Sequence, residues 1–87
     1  MAWTIKFTRT FQKEVQKLDQ PIQRKVKNFF KELESCENPR SKGKPLTQNL
    51  SGLWRYRIED FRIICEIQDN ELVILTLKIG HRSKIYR

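Results

Sequence analysis

With 87 residues, 18 Lys and Arg against 10 Asp and Glu, and a formal net charge of +8, the chain has the length of one small domain over 1–87 and a basic excess that points toward polyanions, nucleic acid first among them. No apolar stretch approaches the roughly 18 residues of a membrane helix, and the alternating start MAWTIKFTRT is unlike a signal peptide, so the expected location is cytoplasmic with no membrane contact. Two cysteines without ligand spacing, one histidine and three scattered glycines exclude a disulfide scaffold, a zinc site and a Gly-rich phosphate loop; neither metal nor cofactor is expected.

Trp3-Thr4-Ile5-Lys6-Phe7 alternates apolar and polar residues with period two, which predicts a first strand. Phe11, Val15 and Leu18 then recur at i, i+4 and i+7, with Thr8 or Thr10 placed to cap a short amphipathic helix. Asp19 before Gln20-Pro21 signals a second helix start. Its apolar stripe is Ile22, Val26, Phe29, Phe30 and Leu33, and it should run to about Cys36, antiparallel to the first helix. From Asn38 to Gly52 the chain reads NPRSKGKPLTQNLSG, a basic loop.

Residues 53–58, 61–67 and 72–79 are rich in aromatic and β-branched types and are separated by Glu59-Asp60 and Asp69-Asn70, which predicts an antiparallel meander. The last of these strands is apolar on both faces, so it belongs inside the sheet with the first strand beside it, leaving 53–58 at an edge. The expectation is a two-layer α+β sandwich: an N-terminal strand and helical hairpin packed on a mostly antiparallel four-stranded sheet, in the order β-α-α-β-β-β.

Strand periodicity also sorts the charged residues. Trp54, Tyr56 and Ile58 share one face while Arg55 and Arg57 share the other; Phe61, Ile63, Cys65 and Ile67 oppose Arg62, Ile64 and Glu66. If the aromatic faces meet the helices, the arginines gather on the open side, with Arg57 and Arg62 neighbours across the hairpin. After the last strand come His81, Arg82, Lys84, Tyr86 and Arg87. Cations interleaved with a stackable aromatic suit RNA, whose phosphates want charge and whose unstacked bases want a flat π surface. An exposed arginine pair is ordinarily a solvated face and a lone histidine ordinarily a surface one; convergence of three remote segments is what changes that balance.

The block LWRYRIEDFRIICEI followed by LTLKIGHRSKIYR, with NPR and GKPL in the loop, resembles the RelE toxins of the RelE/ParE superfamily, from prokaryotic toxin–antitoxin pairs, over essentially the whole chain. The resemblance implies a microbial-ribonuclease-like α+β fold and a ribosome-dependent endonuclease that cuts mRNA in the A site of the small ribosomal subunit, held in check by a cognate antitoxin. It also implies that Arg55, Arg57, Arg62, Arg82 and Tyr86 occupy active-site positions. His81 departs from the best-known RelE pattern, where a lysine commonly precedes that arginine.

Cleavage by the RNA's own 2′-hydroxyl needs a base, charge stabilisation at phosphorus and an acid for the leaving oxygen. Arginine serves the second need through its planar, permanently cationic fork. On this reading Arg62 stabilises phosphate, Arg82 the phosphorane or the leaving group, and Tyr86 orients the cut nucleotide. Arg55 and Arg57 hold the scissile segment, with Lys44, Lys84 and Arg87 as further RNA contacts. His81, Glu66 and Lys44 stand as candidate bases. Two other readings are a gyrase-directed toxin of the ParE branch on the same scaffold and a non-catalytic RNA- or operator-binding module.

Overall fold

The computed structural model describes residues 2–86. Strand β1 (Thr4–Phe7) leads into helices α1 (Arg9–Gln16) and α2 (Gln20–Glu34). After a 3-10 turn at Pro39–Lys42 come β2 (Lys44–Pro45), β3 (Trp54–Ile58), β4 (Phe61–Gln68) and β5 (Val73–His81). The sheet order is β1-β5-β4-β3-β2, with β1 parallel to β5 and every other pair antiparallel.

Local chemistry explains the element starts. Thr8 caps α1 by accepting from the Phe11 amide at 3.1 Å, while its hydroxyl donates to the Leu77 carbonyl at 2.6 Å, so one side chain starts the helix and fastens it to β5. The Ile79 amide, beyond the reach of β1, donates to Glu14 Oε1 at 3.0 Å. Helix α1 thus closes the stretch of β5 edge that the short β1 leaves open. Asp19 stands at the N-cap of α2 without a side-chain cap bond, and Pro21 fits the first turn.

The core lies between the helices and the inner sheet face, where Phe11, Val26, Phe30 and Leu33 meet Tyr56, Ile63, Cys65, Ile74 and Ile79. Phe11 and Phe30 stack edge to face at 5.8 Å, and Phe29 tilts against Tyr56 at 5.1 Å. The buried Tyr56 hydroxyl donates to the Pro39 carbonyl at 2.8 Å, which ties the 3-10 turn to the sheet.

Two expectations are corrected. The sheet has five strands, and β3 is covered by β2 through Lys44↔Arg55 and Pro45↔Trp54. Two residues carry no period-two signal, and what makes the pairing possible is Gly43. A Cβ there would collide with the Arg55 carbonyl and lie 2.8 Å from the Tyr56 ring. Nor is the arginine side of the sheet open. Ile64 is buried on that side, and the C-terminal turn folds back so that Ile85, also buried, lies against Gly80.

Gly43→Ala should therefore destabilise the protein by at least about 1–3 kcal/mol, because the neighbour is backbone and cannot swing away; urea denaturation measures it. A second expectation concerns alkaline pH. Burial raises the Tyr56 phenol far above its usual range and pushes the Cys65 thiol up to about 12. Both groups have higher pKa values folded than unfolded, so the stability they contribute is complete below the unfolded values, roughly 8.5 for cysteine and 10 for tyrosine, and is lost as pH rises toward the folded ones. Denaturation midpoints should fall between about pH 8 and pH 11, and Cys65→Val should flatten the earlier part of that fall.

Candidate active site

Register brings the arginines together. Arg62 of β4 stands opposite Arg57 of β3 on one side and Gly80 of β5 on the other, and the next row is Arg55, Ile64, Lys78. Directly opposed residues of an antiparallel pair have Cβ atoms about 5 Å apart, so Arg57 and Arg62 are held side by side by backbone pairing alone. The Gly80 position has no side chain to fill the row beyond Arg62, and Ile85 takes that space.

Arg62 is the one buried charged residue among those described, only 8% exposed. Its Nη1 donates to the carbonyls of Glu59 and Phe61, each at 3.0 Å, and no described carboxylate pairs with it. Burial lowers the guanidinium's pKa, Arg57, Arg55 and Arg82 push it the same way, and Tyr86 opposes them. Guanidinium nevertheless stays protonated. A cation desolvated among cations, with neutral acceptors only, can take an anion as its partner.

Arg82 continues the ladder beyond β5: its amide donates to the Asp60 carbonyl at 2.8 Å. Its Nε lies 3.9 Å from Asp60 Oδ1 with the side chain 62% exposed, a loose contact that leaves the guanidinium free to turn toward a ligand. Tyr86 is exposed and, with Arg55, borders a cleft of about 400 Å³ against the loop 45–50. On the other side of Arg55 a smaller hollow of about 260 Å³ is lined by Lys42, Lys44 and Arg57. Lys42, a residue of the basic loop 38–52, comes to lie beside Arg55 through the β2 pairing.

Other candidates stand elsewhere. Strand β5 runs through His81, two residues past the expected end, and alternation puts His81 on the Phe61 side of the sheet, edge-on to that ring at 5.8 Å. Its Nδ1 accepts from the Ser83 amide at 3.2 Å and lies 2.8 Å from the Ser83 hydroxyl. That amide contact leaves the ring proton of neutral His81 on Nε2. Glu66 shares the arginine side but lies about 13 Å along the strand from Arg62, where it accepts from Gln68 at 3.2 Å. Lys84 is exposed in the C-terminal turn. Arg87 lies outside the described residues. Arg40 of the basic loop is committed to structure: it makes a two-pronged pair with Asp69 at 2.7 and 2.8 Å and lies 5.6 Å from the Trp54 ring centre.

Comparison with known proteins agrees with this arrangement of elements. The family model for the ParE toxin of type II toxin–antitoxin systems (parDE) matches residues 5–86. Toxin RelG of Mycobacterium tuberculosis is 33% identical over 88 residues, spanning 100% of this chain and 99% of that protein. Among solved structures, the RelBE2 toxin–antitoxin complex of Mycobacterium tuberculosis matches with a TM-score of 0.84 at 30% identity, covering 94% of this chain and 100% of that one. The archaeal RelE–RelB complex of Pyrococcus horikoshii matches with a TM-score of 0.76 at 28% identity, covering 97% and 99%. With its fold, its helical hairpin and nearly its full length shared, this chain belongs to the RelE/ParE superfamily of type II toxin–antitoxin toxins.

Proposed function

We propose that the protein is a ribosome-dependent mRNA endonuclease that arrests translation in the cytoplasm, and that a cognate antitoxin restrains it. The observation that carries this reading is Arg62, a buried cation without a carboxylate, ringed by Arg55, Arg57, Arg82 and Tyr86. The reaction is transesterification within the RNA. The 2′-oxygen bonds to the adjacent phosphorus and loses its proton, while the bond from phosphorus to the 5′-oxygen breaks and that oxygen takes up a proton. Arg62 meets the charge that builds on the non-bridging oxygens, and Arg82, free to move, follows it or serves the leaving oxygen. Arg55 and Arg57, with Lys44 beside them, grip the flanking phosphate, Lys84 and Arg87 are further RNA contacts, and Tyr86 stacks on the nucleotide being cut.

Of the three candidate bases only Lys44 borders the arginine cluster; His81 turns toward Phe61 and Glu66 is far along β4. In-line alignment of the message by the ribosome therefore carries a large part of the rate. The antitoxin's inhibitory segment should be acidic and apolar to match a basic face. The match to the ParE family model supports a second reading, a gyrase-directed inhibitor on the same scaffold, for which the arginine cluster has no phosphate to serve.

Primer extension on a translated message after brief induction separates these readings. Position-specific breaks within coding frames are expected; an intact message with blocked DNA supercoiling would favour the gyrase reading. Arg82→Lys should cut translated message roughly 100-fold more slowly or worse while RNA binding persists, and full activity in that variant would remove Arg82 from the reaction. Because only Lys44 among the candidate bases borders the arginine cluster, ribosome-bound message should be cut far faster than the same RNA in free solution; equal rates would contradict ribosome dependence.

A further inference from the structure

Arg55 forms the shared wall of two clefts of opposite chemistry. The smaller, toward Lys42, Lys44 and Arg57, is cationic and holds no carboxylate. The larger, of about 400 Å³, is bordered by Tyr86 and by the 3-10 turn Gln48–Leu50, and its polar groups besides Arg55 are the neutral side chains of Thr47, Gln48 and Asn49.

Three features mark the neutral cleft as more than a surface dent. The turn closes two backbone bonds of its own, the Leu50 amide donating to the Thr47 carbonyl at 3.2 Å and the Ser51 amide to the Gln48 carbonyl at 3.0 Å. The side-chain amides of Gln48 and Asn49 are exposed and make no hydrogen bond to any other described residue. Gln48 is held at φ +58, a left-handed conformation that costs a non-glycine residue free energy and that clusters at functional positions.

A primary amide offers a donor and an acceptor side by side, which is the complement of a nucleobase edge, and an aromatic ring at the same cleft offers its face to the base. A phosphate would go to the lysines on the far side of Arg55. We infer that the cleft between Tyr86 and the turn 47–50 is a nucleobase-reading pocket in which Gln48 and Asn49 select the base, while the phosphate of the same nucleotide rests in the Lys42/Lys44/Arg57 hollow. The inference rests on the ribonuclease reading and adds to it the residues that decide which codons are cut.

The test is the cleavage profile across all codons of translated messages for the parent protein, Asn49→Ala and Gln48→Gly, glycine being chosen because it accepts the left-handed backbone. Loss of an amide pairing should narrow the ratio between the most and least cut codons by about tenfold in at least one variant. Identical codon profiles in all three proteins overturn the pocket and leave the ribonuclease reading standing.

If the parent cuts no message, the ribonuclease reading falls, and the pocket is judged by NMR on the Arg82→Lys protein titrated with a trinucleotide lacking its 2′-hydroxyls. Shifts of the Gln48 and Asn49 side-chain amides that vanish with an abasic trinucleotide support a base pocket without nuclease activity. Equal shifts from the two ligands, or none, overturn it.

Discussion

Burying one guanidinium without a carboxylate is the constraint from which the rest of the architecture can be understood. Desolvating a cation is expensive unless opposite charge repays it, and Arg62 has two backbone carbonyls where an acid would ordinarily stand. The sheet tolerates this because the residue is pinned on both sides by ladder pairing, and because the apolar core on the opposite face does not depend on it. Stability is supplied by one face of the sheet and spent on the other.

A division of labour among the basic residues follows. Lys25 is paired with Glu59 at 2.8 Å and Arg40 with Asp69 at 2.7 Å, both at the periphery. The Arg40 pair, its stacking on Trp54 and the Trp54 indole N–H donated to the Arg40 carbonyl at 3.1 Å together brace the segment that leads into β2. Strand β2 in turn carries Lys44 to Arg55. These paired charges hold the frame, while Arg55, Arg57 and Arg62 have no described carboxylate partner.

What could be read from the chain without coordinates was whatever obeys a short period. WRYRI and FRII alternate so regularly that the side on which each arginine lies, and the Arg57–Arg62 pairing across the turn, follow from counting. A cap at Thr8 or Thr10 is legible because capping is a local bond, and the structure gives the role to Thr8. Features that depend on two remote segments were not legible. A two-residue strand has no pattern of its own, and the return of Ile85 onto Gly80 needs a turn with no strong signal. His81 shows the intermediate case: alternation would have turned it toward Phe61, but only if β5 were known to run that far.

The parallel pairing of β1 with β5 joins the first strand of the fold to its last, and the Thr8 to Leu77 bond spans 69 positions in sequence. Contacts this distant form slowly, because a long loop must close before any of them is rewarded. During synthesis β5 emerges late, so β1 waits without its partner and the row that seats Arg62 lacks its Gly80 side. The row of Arg57, Arg62 and Gly80 is therefore complete only once the last strand has paired with its neighbour.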